Sequence, residues 1–283
     1  MLHWLTTRFE ICLTTPRVMG IVNVTPDSFS DGGRDLAASL AHCETLLRDG
    51  AHILDIGGES TRPGSRTPAP DEEWARVEPV LRHALTLGVP VSVDTRSAAV
   101  MRAALDLGAD IVNDVRALRA PGALDAVAAH PRAGVCLMHM RGEPATMQQA
   151  PAYADVVNEV AAFLRERLSA LKGCGVASER VVVDPGIGFG KTALHNLDLL
   201  RRQRELLALG APLLVGWSRK STLGRIIGRD GAHERQAASV AAALAAVQRG
   251  ARIVRVHDVR ETVDALAVWQ AAGMLEEGLE ESS

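Results

Sequence analysis

Asp94, Asn113 and Asp184 each close a short run of β-branched or apolar residues, in Val91-Ser-Val-Asp94, Ile111-Val-Asn113 and Val181-Val-Val-Asp184. Carboxylates gathered above an apolar core are costly unless a ligand supplies donors. A flat heterocycle with adjacent N–H groups on one edge meets such a carboxylate bidentately, as guanidinium does. A second set has the opposite charge: Arg219 and Lys220 follow the run Pro212 to Gly216, and Arg255 and His257 stand at the end of the run Arg252 to Val256. Together they describe a substrate with a neutral, donor-rich ring at one end and a phosphate or pyrophosphate at the other. Simpler employments compete residue by residue. Asp, Asn, Ser and Thr cap helices, which is an equal reading of Thr95 and Asp114, and Arg219 and Arg255 taken singly also read as solvated surface cations. Lys220 resists that dismissal. Of 31 basic residues only Lys172, Lys191 and Lys220 are lysine, so a lysine in a polar loop of this chain is a candidate for a point charge that guanidinium cannot supply.

The residues above need a scaffold that brings strand ends together. Eight strand-like runs recur, at Val18 to Val24, His52 to Ile56, Val89 to Val93, Asp110 to Val112, Gly134 to Met138, Val181 to Val183, Pro212 to Gly216 and Arg252 to Val256. Between them lie helical patterns at Asp35 to Arg48, Glu72 to Leu87, Ala98 to Leu107, Ala154 to Lys172, Asn196 to Leu209, Ala237 to Gln248 and Thr262 to Ala272, with a weaker one around Pro121 to Ala129. Alternating strands and helices demand a parallel sheet with right-handed crossovers. Eight units in under 300 residues fit an α/β fold closed as a (β/α)8 TIM barrel, with an open doubly wound sheet as the rival. Residues before about Pro16 form a short N-terminal extension expected to cover the barrel's bottom. No linker divides the chain, so residues 1–275 are expected to form one domain, followed by an acidic, fraying tail at 276–283.

A length of 283 residues, 47% hydrophobic residues and a net charge of −3 exclude dominant disorder and argue against a polyanionic partner, so no nucleic acid is expected. Cys12, Cys43, Cys136 and Cys174 lie too far apart for a zinc ribbon or a disulfide framework. No apolar run reaches the roughly 20 residues that span a bilayer. Met1 to Pro16 lacks a signal-peptide pattern, so no membrane association and a cytoplasmic location are expected. Pro185-Gly-Ile-Gly-Phe-Gly-Lys-Thr192 nearly matches a phosphate-cradling loop, but Pro185 stands where the first glycine must be and lacks its N–H.

Several stretches are long, unusual and ordered in a specific way: Met19-Gly-Ile-Val-Asn-Val-Thr-Pro-Asp-Ser-Phe-Ser-Asp-Gly-Gly33, Asp55-Ile-Gly-Gly-Glu-Ser-Thr-Arg-Pro-Gly64, Ser92-Val-Asp-Thr95, Val112-Asn-Asp-Val115, Leu137-Met-His-Met140, Asp184-Pro-Gly186, Gly188-Phe-Gly-Lys191, Ser218-Arg-Lys-Ser221 and Arg255-Val-His-Asp-Val259. From about Arg17 to Ala272 the chain resembles the dihydropteroate synthases, pterin-binding TIM-barrel transferases of folate biosynthesis. The resemblance implies condensation of 6-hydroxymethyl-7,8-dihydropterin pyrophosphate with p-aminobenzoate, through an SN1-like step, with sulfonamides competing for the p-aminobenzoate place. It implies that Asp94, Lys220, Asp184 and Arg255 are catalytic, and that Asp94, Asn113, Met138, Asp184, Phe189, Lys220 and Arg255 hold the pterin. Asn23, Thr61, Arg62, Arg255 and His257 would hold pyrophosphate, with Asn23 also the ligand of Mg²⁺. Phe29, Thr61, Pro63, Lys220 and Ser221 would surround p-aminobenzoate once the first two loops close, and a homodimer is implied. Trp217, Arg141 and Glu143 depart from the family's usual pattern, and Trp217 is expected at the rim of the site. A pterin-dependent methyltransferase barrel would share the Asp/Asn/Asp pattern but has no use for Ser218-Arg-Lys-Ser221, Arg255 and His257. A catalytically silent homologue would be expected to lose Asp27, Phe29 or Arg62, all of which are present.

Overall fold

The computed structural model describes residues 2–24, 34–60 and 67–275. Two short antiparallel strands, β1 (His3–Leu5) and β2 (Glu10–Cys12), form a hairpin ahead of the main sheet. Eight parallel strands follow: β3 (Arg17–Asn23), β4 (Ile53–Gly57), β5 (Val91–Asp94), β6 (Ile111–Asp114), β7 (Gly134–Met138), β8 (Val181–Asp184), β9 (Leu213–Val215) and β10 (Ala251–Val256). They close in chain order, β10 pairing with both β9 and β3, so the sheet is a barrel and the doubly wound alternative is excluded. The helices are α1 (Arg34–Arg48), α2 (Pro70–Leu85), α3 (Ala98–Leu107), α4 (Ala123–Ala128), α5 (Val156–Gly173), α6 (Ala193–Arg201), α7 (Ser221–Ile227), α8 (Gln236–Val247) and α9 (Val259–Ala271).

Side chains alternate across each strand, and here both sides are buried. Outward residues such as Leu54, Val93, Val112, Leu137, Val183 and Val254 pack with the helices. Inward, Met19, Ile53, Ile111, Cys136, Val182, Leu214 and Ile253 form an apolar layer across the barrel. On five of these strands the next inward position, two residues on, is Asp55, Asn113, Met138, Asp184 or Arg255. The period of two thus stacks a polar layer on an apolar one at the carboxyl ends of the strands, the pole where barrel enzymes place their chemistry.

The opposite pole is closed by the N-terminal hairpin, as the sequence predicts. Trp4 and Leu13 are fully buried against the apolar layer, and the Trp4 indole donates to the Arg180 carbonyl at 2.9 Å. Arg8 grips Asp110 at 2.6 Å, with Asp110 wholly buried. Two helical details depart from expectation. The pattern at Asn196 to Leu209 divides into α6 and a 3₁₀ segment, Gln203–Leu209, where the buried Gln203 amide donates to the Ala246 and Arg249 carbonyls. Helix α7, at two turns with Gly224 inside and Gly228 in the left-handed region at its end, is too short to leave a periodic signal. Among the described residues no helix is long and apolar enough to cross a membrane. The tail at 276–283 lies outside the described residues.

Candidate active site

At the mouth of the barrel Arg255 is the hub. Its Nε donates to Asp55 Oδ2 at 2.6 Å and its Nη2 to Asp94 Oδ2 at 2.7 Å. Asn113 Nδ2 donates to the same Asp55 oxygen at 3.2 Å. Because a carboxylate only accepts, this contact orients the Asn113 amide and leaves its carbonyl oxygen for a ligand donor. Asp55 is completely buried, and its Oδ1 has no partner among the described residues. Burial is the main influence on Asp94, pushing its carboxyl up to about 7; Arg255 opposes this, and Asp55 reinforces it. On Arg255 burial acts against the charge, but Asp55 and Asp94 outweigh it and raise the guanidinium above its ordinary value. A side chain at Gly57 would meet the Asp94 Cβ at 3.3 Å, so the glycine leaves this carboxylate room at its strand end.

Across the mouth, Asp184 Oδ1 accepts from the Gly186 amide at 2.7 Å. Burial raises the Asp184 carboxyl to about 6, against the pull of that amide, Lys220, Lys191 and Arg255. The Lys220 ammonium stands 4.1 Å from the centre of the Phe189 ring, and burial, helped by Arg255, lowers it to about 8. Phe189 packs against an apolar wall of Val115, Met138, Met140 and Met147. A flat ring entering here finds soft, polarizable side chains on that wall and acceptors on its edge.

The anionic end of the site is built by β10 and the turn before α7. Ser218 Oγ accepts from the His257 backbone N–H at 3.1 Å and lies 3.0 Å from His257 Nδ1. In the tautomer where the Ser218 hydroxyl donates to Nδ1, the imidazole proton is on Nε2 and can serve an anion. Burial, with Arg255 and Arg219, holds His257 down at about 3, so it acts as a neutral donor. Arg219, whose backbone is left-handed at φ 58°, turns instead onto Asp258 at 2.5 Å. Ser221 is exposed at the start of α7, and Asn23 is exposed at the end of β3, paired with Gly57.

The described candidates therefore converge on one pole: Asp94, Asn113, Met138, Asp184, Phe189, Lys220, Ser221, Arg255, His257 and Asn23 all stand at or beyond strand ends of one parallel barrel. Phe29, Thr61, Arg62 and Pro63, with Asp27, lie outside the described residues. Two residues outside that set hold it together. Asp55 carries both Arg255 and Asn113, and its signal was a lone acid inside an apolar strand. Lys191 is buried among His139 Nδ1 at 2.9 Å and the carbonyls of Gly186 and Phe189 at 3.0 Å each. Trp217 corrects an expectation: it is 2% exposed and packed in the outer core, not at the rim, because its position on the chain faces the helices. Arg141 stacks 3.9 Å over Tyr153 and pairs with Glu159, while Glu143 bridges Arg96 and Arg116, tying the loop after β7 to those after β5 and β6.

The fold and site define a (β/α)8 barrel enzyme built to hold a donor-edged heterocycle beside an anion. The model of the pterin binding enzyme family matches residues 19–257. A dihydropteroate synthase of Neisseria meningitidis serogroup B is 55% identical over 278 residues, covering 96% of this chain and 98% of that one. The solved dihydropteroate synthase of Xanthomonas albilineans in complex with 7,8-dihydropteroate superposes with a TM-score of 0.85 at 49% identity, covering 93% of this chain and 96% of that one. That of Yersinia pestis, in a sulfonamide drug complex, gives a TM-score of 0.91 at 43% identity, covering 96% and 99%. The chain belongs to the dihydropteroate synthase family.

Proposed function

We infer that the protein joins 6-hydroxymethyl-7,8-dihydropterin pyrophosphate to p-aminobenzoate, giving 7,8-dihydropteroate and pyrophosphate. The observation that carries this is the division of one barrel mouth into an acceptor half, Asp94, Asn113 and Asp184, and a donor half, Lys220, Arg255 and His257. In this reading the carboxylates and the Asn113 carbonyl accept from the N–H edge of the pterin, while Met138, Phe189 and Arg255 pack around its ring. Arg255 and His257 Nε2 point donors at the pyrophosphate, joined by Asn23, Thr61 and Arg62. The C–O bond to the pterin methylene breaks with its electron pair leaving on pyrophosphate. Asp94 faces the cationic pterin methylene so formed. The p-aminobenzoate nitrogen then gives its lone pair to that carbon, and its proton goes to solvent or to the departing pyrophosphate. Lys220 and Ser221, with Phe29, Thr61 and Pro63, hold the arylamine in line. This supplies proximity to a weak nucleophile.

Among the described residues no cluster of His, Cys, Asp or Glu suits a metal held by protein alone. The single exposed amide of Asn23 suits Mg²⁺, which keeps several waters and takes substrate phosphate oxygens beside one or two protein donors. When bound, Mg²⁺ neutralises the leaving pyrophosphate. A homodimer and a cytoplasmic location belong to the same reading, the first checked by sedimentation equilibrium. The deciding experiment is pyrophosphate release with both substrates, with and without Mg²⁺. Release that depends on p-aminobenzoate and falls sharply on chelation is expected; release of methylated product, or none, would refute the reading.

A further inference from the structure

We propose that Lys191 is a positioning residue of the pterin pocket: its buried ammonium draws the backbone of Gly186 and Phe189 and the ring of His139 to one point, fixing Phe189 against Lys220 and Asp184 against the Gly186 amide. The proposal rests on the reading of Asp184, Phe189 and Lys220 as pterin-binding.

Four acceptors face the Lys191 Nζ: His139 Nδ1 at 2.9 Å, the Gly186 carbonyl at 3.0 Å, the Phe189 carbonyl at 3.0 Å and the His139 carbonyl at 3.4 Å. None of them has a proton to give once the His139 ring proton sits on Nε2, so the cage suits a group with three protons. Burial pushes Lys191 well below its ordinary value, with Lys220 and Arg141 adding to the push, while Asp184 and the four converging acceptors favour the charged form; burial holds His139 down at about 2. At 2% exposure Lys191 is beyond reach of a substrate, so it acts through the loop it ties.

Two further carbonyls of that loop have other partners. Gly188 is held by Gln148 Nε2 at 2.6 Å and Gly190 by the Tyr153 hydroxyl at 2.9 Å. The loop folds tightly enough that a Cβ at Gly186 would lie 1.9 Å from the His139 carbonyl oxygen. Removing the ammonium leaves three carbonyl oxygens and a ring nitrogen converging with no donor, and the turn that presents Phe189 must open. Arginine cannot replace it, because a planar fork spreads its donors rather than focusing them on one point. This gives a physical reason for a lysine here in a chain whose basic residues are mostly arginine.

The test compares the wild type with Lys191→Met and Lys191→Arg, each confirmed folded by circular dichroism. For Lys191→Met the KM for the pterin substrate and the Kd for 6-hydroxymethylpterin are expected to rise about tenfold or more, while the KM for p-aminobenzoate moves less than about threefold. Lys191→Arg is expected not to restore pterin affinity. Unchanged pterin affinity, equal losses for both substrates, or full rescue by arginine overturns the proposal. Should Lys191→Met not fold, His139→Gln, which removes one contact of four, is expected to give a smaller loss selective for pterin; an unselective loss or none overturns it. A wild type that binds no pterin sinks the functional reading itself, an outcome distinct from all of these.

Discussion

Burial shifts Asp94 and Lys220 in opposite directions, each toward its neutral form. Asp94, raised to about 7 from an ordinary 3.8, favours its protonated form, so its contribution to stability is present below the ordinary value and is lost as pH rises through 7. Lys220, lowered to about 8 from 10.5, favours its neutral form, and that contribution is lost as pH falls through 8. The folded protein therefore carries its greatest electrostatic burden from this pair near pH 7 to 8, where both groups are charged. Asp94→Asn is expected to lower turnover by roughly 10²- to 10³-fold. Its melting temperature relative to wild type should improve between pH 5 and pH 8, measured by calorimetry. A relative melting temperature that falls over this range would contradict the assignment. The pH profile of kcat/KM for the pterin substrate should rise as Asp184 and Asp94 ionise, through about 6 and 7, and fall as Lys220 loses its proton near 8. In Lys220→Arg the alkaline limb should vanish from whatever activity remains. Asp55→Asn, which weakens the hold on Arg255 and Asn113, should cost about 2–3 kcal/mol in denaturant unfolding, below the full penalty of a broken buried pair because Asp94 still holds Arg255.

The loop after β8 shows how an element serves a site. Gly186, Gly188 and Gly190 all have positive φ, at 69°, 82° and 62°, and a Cβ on Gly190 would sit 2.2 Å from the Arg141 carbonyl oxygen. Gly190→Ala should therefore destabilise the protein by more than about 1 kcal/mol in denaturant unfolding and lower pterin affinity with it, because the backbone conformation and the space are both denied. The glycine spacing was legible as a phosphate loop with a misplaced proline; in the fold the same residues wrap inward on Lys191. Helix α7 left no signal of its own, and its placement after Ser218-Arg-Lys-Ser221 follows from β9 and α8 on either side.

For the molecule as a whole, the two poles divide the labour. The hairpin of β1 and β2 seals the bottom with Trp4 and Arg8, far along the barrel axis from Arg255. Trp4→Ala should cost about 3–5 kcal/mol of stability by cavity formation while leaving the KM for both substrates within twofold or so at temperatures where the protein stays folded. Calorimetry with steady-state kinetics on the same preparation checks it; a matched loss of substrate affinity would show that the poles are coupled.

Patterning alone located eight strands, the closed barrel and the side of each strand end that turns polar, because alternation and chain order are local properties that backbone geometry obliges. Residue types there also named the chemistry, acceptors for a ring and donors for an anion. What the chain could not declare was which acid lies beneath which cation. Asp55 under Arg255 and Lys191 against His139 depend on partners 200 and 52 residues away in sequence, and Trp217 is buried in a core assembled from the whole chain. Such pairings are set by register around a closed sheet, and only closure brings the eighth strand beside the first.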